Sequence, residues 1–158
     1  MAQAPVAIRL RVVEAIGASD AARWDACAGA TNPFVSHAFL LALEESGCIG
    51  GRTGWLARHV VAEDAEGGVV ACAPLYLKAH SQGEYVFDHG WAEAWQRAGG
   101  RYYPKLLCAV PFSPVPGPRL LVRDPADGVL RATLARGLVA LDEEGGVSSL
   151  HANFCTPE

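Results

Sequence analysis

The side chains best suited to chemistry lie in the second half of the sequence. Asp88 and His89 are adjacent, and an imidazole beside a carboxylate can act as a general base. A lone His at the start of a helix also serves as a capping or surface residue. Tyr102, Tyr103 and Lys105 precede an apolar segment, and Arg119 follows a proline-rich one. Arg grips a phosphate or carboxylate with its fork, and Tyr offers a flat stacking face and a hydroxyl. These four are the candidate substrate-binding residues, with His89 the catalytic candidate. The competing expectation is that both tyrosines pack and that Arg119 pairs with an acid. His151 and Asn153 alternate on one face of a final apolar segment and could line a cleft or simply face solvent. Ser113, between Phe112 and Pro114, lacks the setting of a nucleophile elbow. The sequence contains neither a P-loop nor a dinucleotide-binding fingerprint.

Five cysteines, Cys27, Cys48, Cys72, Cys108 and Cys155, are widely spaced, with no CxxC pair and no His at ligand spacing. They read as free thiols acting as small hydrophobes, and no metal site is expected. The net charge of −4 is unevenly spread: Arg97 to Arg136 holds seven basic and two acidic side chains, +5, and the rest of the chain is −9. One region therefore suits a small anionic ligand, whereas bulk DNA would be repelled. The alternative is a solvated basic face.

The elements that must position these residues are legible as patterns. At 158 residues, 51% apolar and 19% charged, the chain can bury one core, and a single domain over 1–158 is expected. No apolar run reaches the roughly 20 residues of a membrane helix. Arg9 and Arg11 interrupt Pro5 to Ile16, so no signal peptide is read and the expected location is the cytoplasm. Ala7 to Ala15 alternates as a strand. Ser19 is placed as the cap of a short helix carrying Trp24 and Ala28. Asn32-Pro33 or Ser36 opens a helix to Ser46. Trp55 to Glu63 and Val69 to Ala79 form a hairpin about Asp64 to Gly68, with a bulge at Pro74. A short strand is expected over Glu84 to Phe87. Asp88 should cap a helix from His89 to Ala98 whose Trp91 and Trp95 enter the core. Lys105 to Val110 and Arg119 to Val122 read as strands around a rigid proline loop. Asp124 and Pro125 start the longest helix, in which Gly137 suggests close approach to the sheet. Val147 to Phe154 is the last strand. Strands joined by helices require parallel pairs, so the fold class is α/β with a mixed central sheet flanked by helices.

That order of elements resembles the GNAT acyltransferase fold. Specific strings narrow it: Asn32 to Leu40 with Ala42 to Cys48; Gly83 to Asp88 with Trp91-Ala92; Tyr102 to Leu106, running on to Val110 to Phe112, Pro114-Val115 and Gly117 to Arg119. Together they resemble a bacterial family of peptidoglycan biosynthesis/recognition proteins, related to the Fem-type aminoacyltransferases, over about residues 30 to 154. The resemblance implies two GNAT-like halves in one protein, of which this chain is the N-terminal one. Its partner would be the missing C-terminal half or a second copy, as in a homodimer. The donor implied for the full protein is acyl-CoA or aminoacyl-tRNA. A GNAT enzyme binds the CoA pyrophosphate on backbone N–H groups at a glycine-rich turn entering a helix. The corresponding turn here, Val86 to Ala92, has one glycine and places the Asp88 carboxylate where phosphate would sit. No cofactor binding is therefore expected of this half. The alternative is a non-catalytic, degenerate GNAT-like module that binds a partner or an anionic ligand.

Overall fold

The computed structural model describes residues 7–157; Pro5 and Val6 of the N-terminal apolar stretch lie outside the described residues. In chain order the elements are β1 (Arg9–Val13), a 3-10 turn at Ile16–Ala18, α1 (Ala21–Ala28), a second 3-10 turn at Pro33–Val35, α2 (His37–Glu45), β2 (Trp55–Ala57), β3 (His59–Glu63), β4 (Val69–Ala73), β5 (Leu75–Lys78), α3 (His89–Arg97), β6 (Lys105–Cys108), β7 (Leu121–Val122), α4 (Gly128–Glu144) and β8 (Leu150–Ala152). This is the mixed α/β architecture of the GNAT-like kind. The sheet, however, is divided. One four-stranded sheet runs β1-β3-β4-β7 with antiparallel neighbours, and the other runs β2-β5-β6-β8 with β6 and β8 parallel.

The division falls at Pro74, where a bulge was expected. Proline cannot donate to a ladder, so Val69 to Ala79 becomes β4 and β5, and Trp55 to Glu63 breaks opposite it at Arg58. The backbone groups at the break are still satisfied. Arg58 N–H donates to Leu75 O at 2.8 Å, and Leu75 N–H donates to His59 Nδ1 at 3.3 Å. His59 Nε2 therefore carries the ring proton and meets Glu44 Oε1 at 3.1 Å. The Glu44 carboxylate also accepts the Ile16 N–H. Burial outweighs that carboxylate and lowers the His59 pKa, so the ring is neutral.

Strand β4 is buried on both faces because helices cover both. Trp24, Val35 and Leu40 of the α1–α2 side pack on Val61, Cys72 and Leu121. Leu134 and Leu138 of α4 pack on Val60, Ala71 and Val122 from the other side. A third cluster, Ile49, Trp55, Ala57, Tyr76, Leu107 and Ala109, fills one face of the second sheet. The three buried cysteines, Cys27, Cys72 and Cys108, are core residues, while Cys48 and Cys155 are exposed.

Several helix starts differ from expectation. Asp20, not Ser19, caps α1, accepting from Arg23 N–H; Ser19 instead bonds back to Ile16 O. Asn32 and Ser36 both cap, the first on the 3-10 turn and the second on α2. Helix α4 starts after Asp127, whose carboxylate accepts the Leu130 N–H, and Asp124 closes the turn before it by accepting from Ala126. Gly137 does lie close to the sheet: a Cβ there would collide with Leu10 of β1.

Candidate functional site

Strand register builds the site. Trp55 of β2 lies opposite Lys78 of β5, and Lys78 lies opposite Lys105 of β6, so the three form a row across the second sheet. Two like charges side by side in a sheet are unfavourable, and both lysines are fully buried. Counter-charges compensate them. Lys105 Nζ bonds Glu84 Oε2 at 2.9 Å, Asp88 Oδ2 at 2.8 Å and Ser81 Oγ at 3.1 Å. Lys78 Nζ donates to Gln82 O at 3.1 Å, stands 3.5 Å from the centre of the Trp55 ring and lies 3.8 Å from Glu84 Oε1. The carboxylates come from the segment after β5, and that segment is not a strand. Tyr85 and Phe87 are left-handed (φ 59° and 55°), which breaks the expected Glu84 to Phe87 ladder. Glu84 and Asp88 turn inward while both aromatic rings are exposed.

Asp88 stands at the cap position of α3, but its side chain makes no capping bond. It is drawn instead to Lys105 and to the Tyr102 hydroxyl, which donates to Oδ2 at 2.8 Å. Burial pushes against the charge on Asp88, yet these bonds prevail and hold its pKa at about 2. Burial, then the Asp88 bond, raises Tyr102. Burial raises Glu84 against the pull of Lys105. Burial likewise brings Lys78 down to about 7 despite Glu84.

The expected substrate residues divide into two groups. Tyr102, Tyr103 and Lys105 come together: the tyrosine rings meet edge to face at 5.1 Å, and Tyr103 OH is 2.6 Å from Ser81 Oγ. Arg119 stands apart. It is buried, and its guanidinium donates to the carbonyls of Asn153 (3.0 Å), Pro118 (3.2 Å) and Val115 (2.7 Å), fastening the proline loop to the segment just after β8. His151 stands edge-on to Tyr102 and bonds Ser149 Oγ at 2.8 Å. His89 is exposed at the start of α3. It lines a groove of about 280 Å³ with Ser81, Gln82, Gly83, Tyr85, Phe87 and Phe112. A larger groove of about 680 Å³ lies elsewhere, between the Asp64 turn and the start of α4, and contains none of the expected site residues. Trp91 and Trp95 do not enter the core; they are 77% and 57% exposed, because α3 buries only Ala92.

Sequence reasoning missed Lys78, Glu84 and Ser81. Alternation within Leu75 to Lys78 could have placed Lys78 on the face of Tyr76, but only the register sets it beside Lys105. Among the described residues, no group of three or more His, Cys, Asp or Glu side chains could hold a metal ion. No helix there is long and apolar enough to cross a membrane.

A family model described as FemAB-like, peptidoglycan biosynthesis/recognition, matches residues 15–158. The chain belongs to the FemAB-like family. No curated protein and no solved structure gives a match. The FemAB-like match spans the whole site, from Trp55 through Lys78, Glu84, Asp88 and Lys105 to His151, and connects the chain to peptidoglycan biosynthesis and transferase-type function.

Proposed function

We propose that this chain is the acceptor-side, GNAT-like half of an N-acyltransferase that modifies an amine of a cell-wall precursor. The donor, acyl-CoA or aminoacyl-tRNA, would be held by a second half or a second copy. The observation that carries this reading is the rigid cluster of Lys105, Glu84, Asp88, Ser81 and Tyr102 beside a groove that exposes His89. In the transfer, the amine nitrogen attacks the acyl carbonyl. A C–N bond forms while the C–S bond of a thioester, or the C–O bond of an aminoacyl ester, breaks. His89 would take the amine proton, and Tyr103 and Lys105, bonded to Ser81, with Tyr102 beside them, would support the groove from behind. The expectation of no CoA site in this half now rests on the Val86 to Ala92 turn's single glycine, Gly90, since the Asp88 carboxylate faces Lys105 and does not cap α3. Arg119 would contribute by holding the proline loop. The anion-binding alternative is less well supported, because the donors of Lys105 and Arg119 are directed at protein acceptors.

The test is a mass-spectrometric assay with a stem-peptide amine as acceptor. The chain alone, with either donor, should give no product. A protein joining it to a second FemAB-like half should acylate the amine and lose at least tenfold in rate on His89→Ala. Product from this chain alone would overturn the half-enzyme reading.

A further inference from the structure

Large apolar side chains on the described surface gather in one place. Of the ten that are exposed, Tyr85, Val86, Phe87, Trp91 and Trp95 fall within residues 85–95, and Phe112 lines a groove with Tyr85 and Phe87. The other four are spread over β1, β2 and α4. Single exposed apolar residues are ordinary, but a contiguous patch marks an interaction surface. The fold holds these rings out. Glu84 and Asp88 are both tied to Lys105 Nζ, at 2.9 Å and 2.8 Å, so the three residues between them are pinned at each end. Tyr85 and Phe87 take left-handed backbone (φ 59° and 55°), unfavourable for bulky residues, and their rings face solvent. Helix α3 then buries only Ala92, which leaves Trp91 and Trp95 exposed one turn apart on the same face.

Three observations say what covers the patch. The buried Trp24 and Trp55 donate their indole N–H to Val35 O and Gln82 O, whereas the N–H groups of Trp91 and Trp95 meet no protein acceptor among the described residues. An apolar ring with a free N–H suits the boundary of lipid headgroups and acyl chains, where the ring is dry and ester oxygens accept. Charge agrees. Asp88 is turned inward, so the exposed charges over residues 88–101 are two arginines, Arg97 and Arg101, against Glu93, a surplus of one positive charge in a chain of net −4. Shape agrees as well: α3 projects from the body, and a bilayer deforms around a projecting element where a protein would need a matching socket. No helix among the described residues is long and apolar enough to cross, so the contact is with the surface. We propose that residues 85–95 seat this chain on the surface of an anionic lipid bilayer, with Phe87, Trp91 and Trp95 entering the headgroup–acyl boundary and Arg97 reaching headgroup phosphate. The inference stands apart from the transfer reaction, since it needs neither acceptor nor donor.

The experiment is flotation of the full chain with vesicles of phosphatidylethanolamine and phosphatidylglycerol, read together with tryptophan fluorescence. Saturable partitioning is expected. Trp24 and Trp55 are already dry, so a blue shift, and quenching by brominated acyl chains, report on Trp91 and Trp95. Trp91→Ala with Trp95→Ala should weaken partitioning about tenfold or more and remove the shift. Arg97→Glu should weaken binding to these vesicles about tenfold and leave the weaker binding to phosphatidylcholine vesicles unchanged. Should a variant misfold, quenching of the parent protein decides. Absence of partitioning or quenching, partitioning kept in full by the double tryptophan variant, or equal affinity of the parent for phosphatidylcholine vesicles overturns the inference. So does self-association of the lipid-free chain, seen by analytical ultracentrifugation, that the double variant abolishes, because the patch then belongs to a second copy. Each of these failures leaves the transferase reading untouched.

Discussion

Two buried polar networks, one on each sheet, are built to different standards. At the Pro74 break, both ring nitrogens of His59 and both oxygens of Glu44 have partners, and nothing is left for a ligand. At the Lys105 corner, five charged or hydroxylic side chains converge, yet Glu84 Oε1 and Asp88 Oδ1 accept no hydrogen bond, the first standing 3.8 Å from Lys78 Nζ. The tryptophans follow the same division. Trp24 and Trp55 are buried and donate their indole N–H to the carbonyls of Val35 and Gln82, while Trp91 and Trp95 lie exposed on α3. The first network repairs a backbone defect. The second leaves hydrogen-bonding capacity on two carboxylates unspent.

The sharpest way to break this comparison is Lys105→Met. It leaves two carboxylates buried without their shared cation, and should cost about 3–5 kcal/mol in urea unfolding. A loss under about 1 kcal/mol would mean that the corner is wetter and looser than described. Next is His59→Phe, which strands the Leu75 N–H and leaves the Glu44 carboxylate with only the Ile16 N–H, and should cost about 2–3 kcal/mol by the same measurement. Lys78 yields a pH signature. Its folded pKa, about 7, lies below the ordinary lysine value of 10.5, so between these values the unfolded chain binds more protons. Stability should therefore rise with pH through that window, and Lys78→Met should remove its part of the slope while leaving the protein as stable or more so at neutral pH. Smallest is Trp91→Ala, expected within about 0.5 kcal/mol of the parent, because the ring buries little.

The order of elements, the hairpin at Asp64 to Gly68 and the pairing of Tyr102 and Tyr103 with Lys105 were legible in the sequence, since periodicity and turn chemistry are local. Three features were not. Lys78 beside Lys105 is a matter of register, which no local pattern specifies. The reversal at Tyr85 and Phe87 uses left-handed aromatics, which no propensity favours, so the segment reads as a strand. Trp91 and Trp95 have helical spacing that fits a core stripe, but α3 turns only Ala92 inward. Asp88 shows the same limit in reverse. Its position before a helix suggests a cap, and its real partners, Tyr102 and Lys105, are 14 and 17 residues away.

Assignment of the Lys105 corner to the acceptor, with the donor bound elsewhere, is tested most directly by calorimetric titration of the chain with acetyl-CoA. No saturable heat is predicted, because the turn into α3 has a single glycine, Gly90, and lacks the pattern that would bring successive amides to a pyrophosphate. Binding in the micromolar range, lost on substitution within residues 86–92, would contradict it.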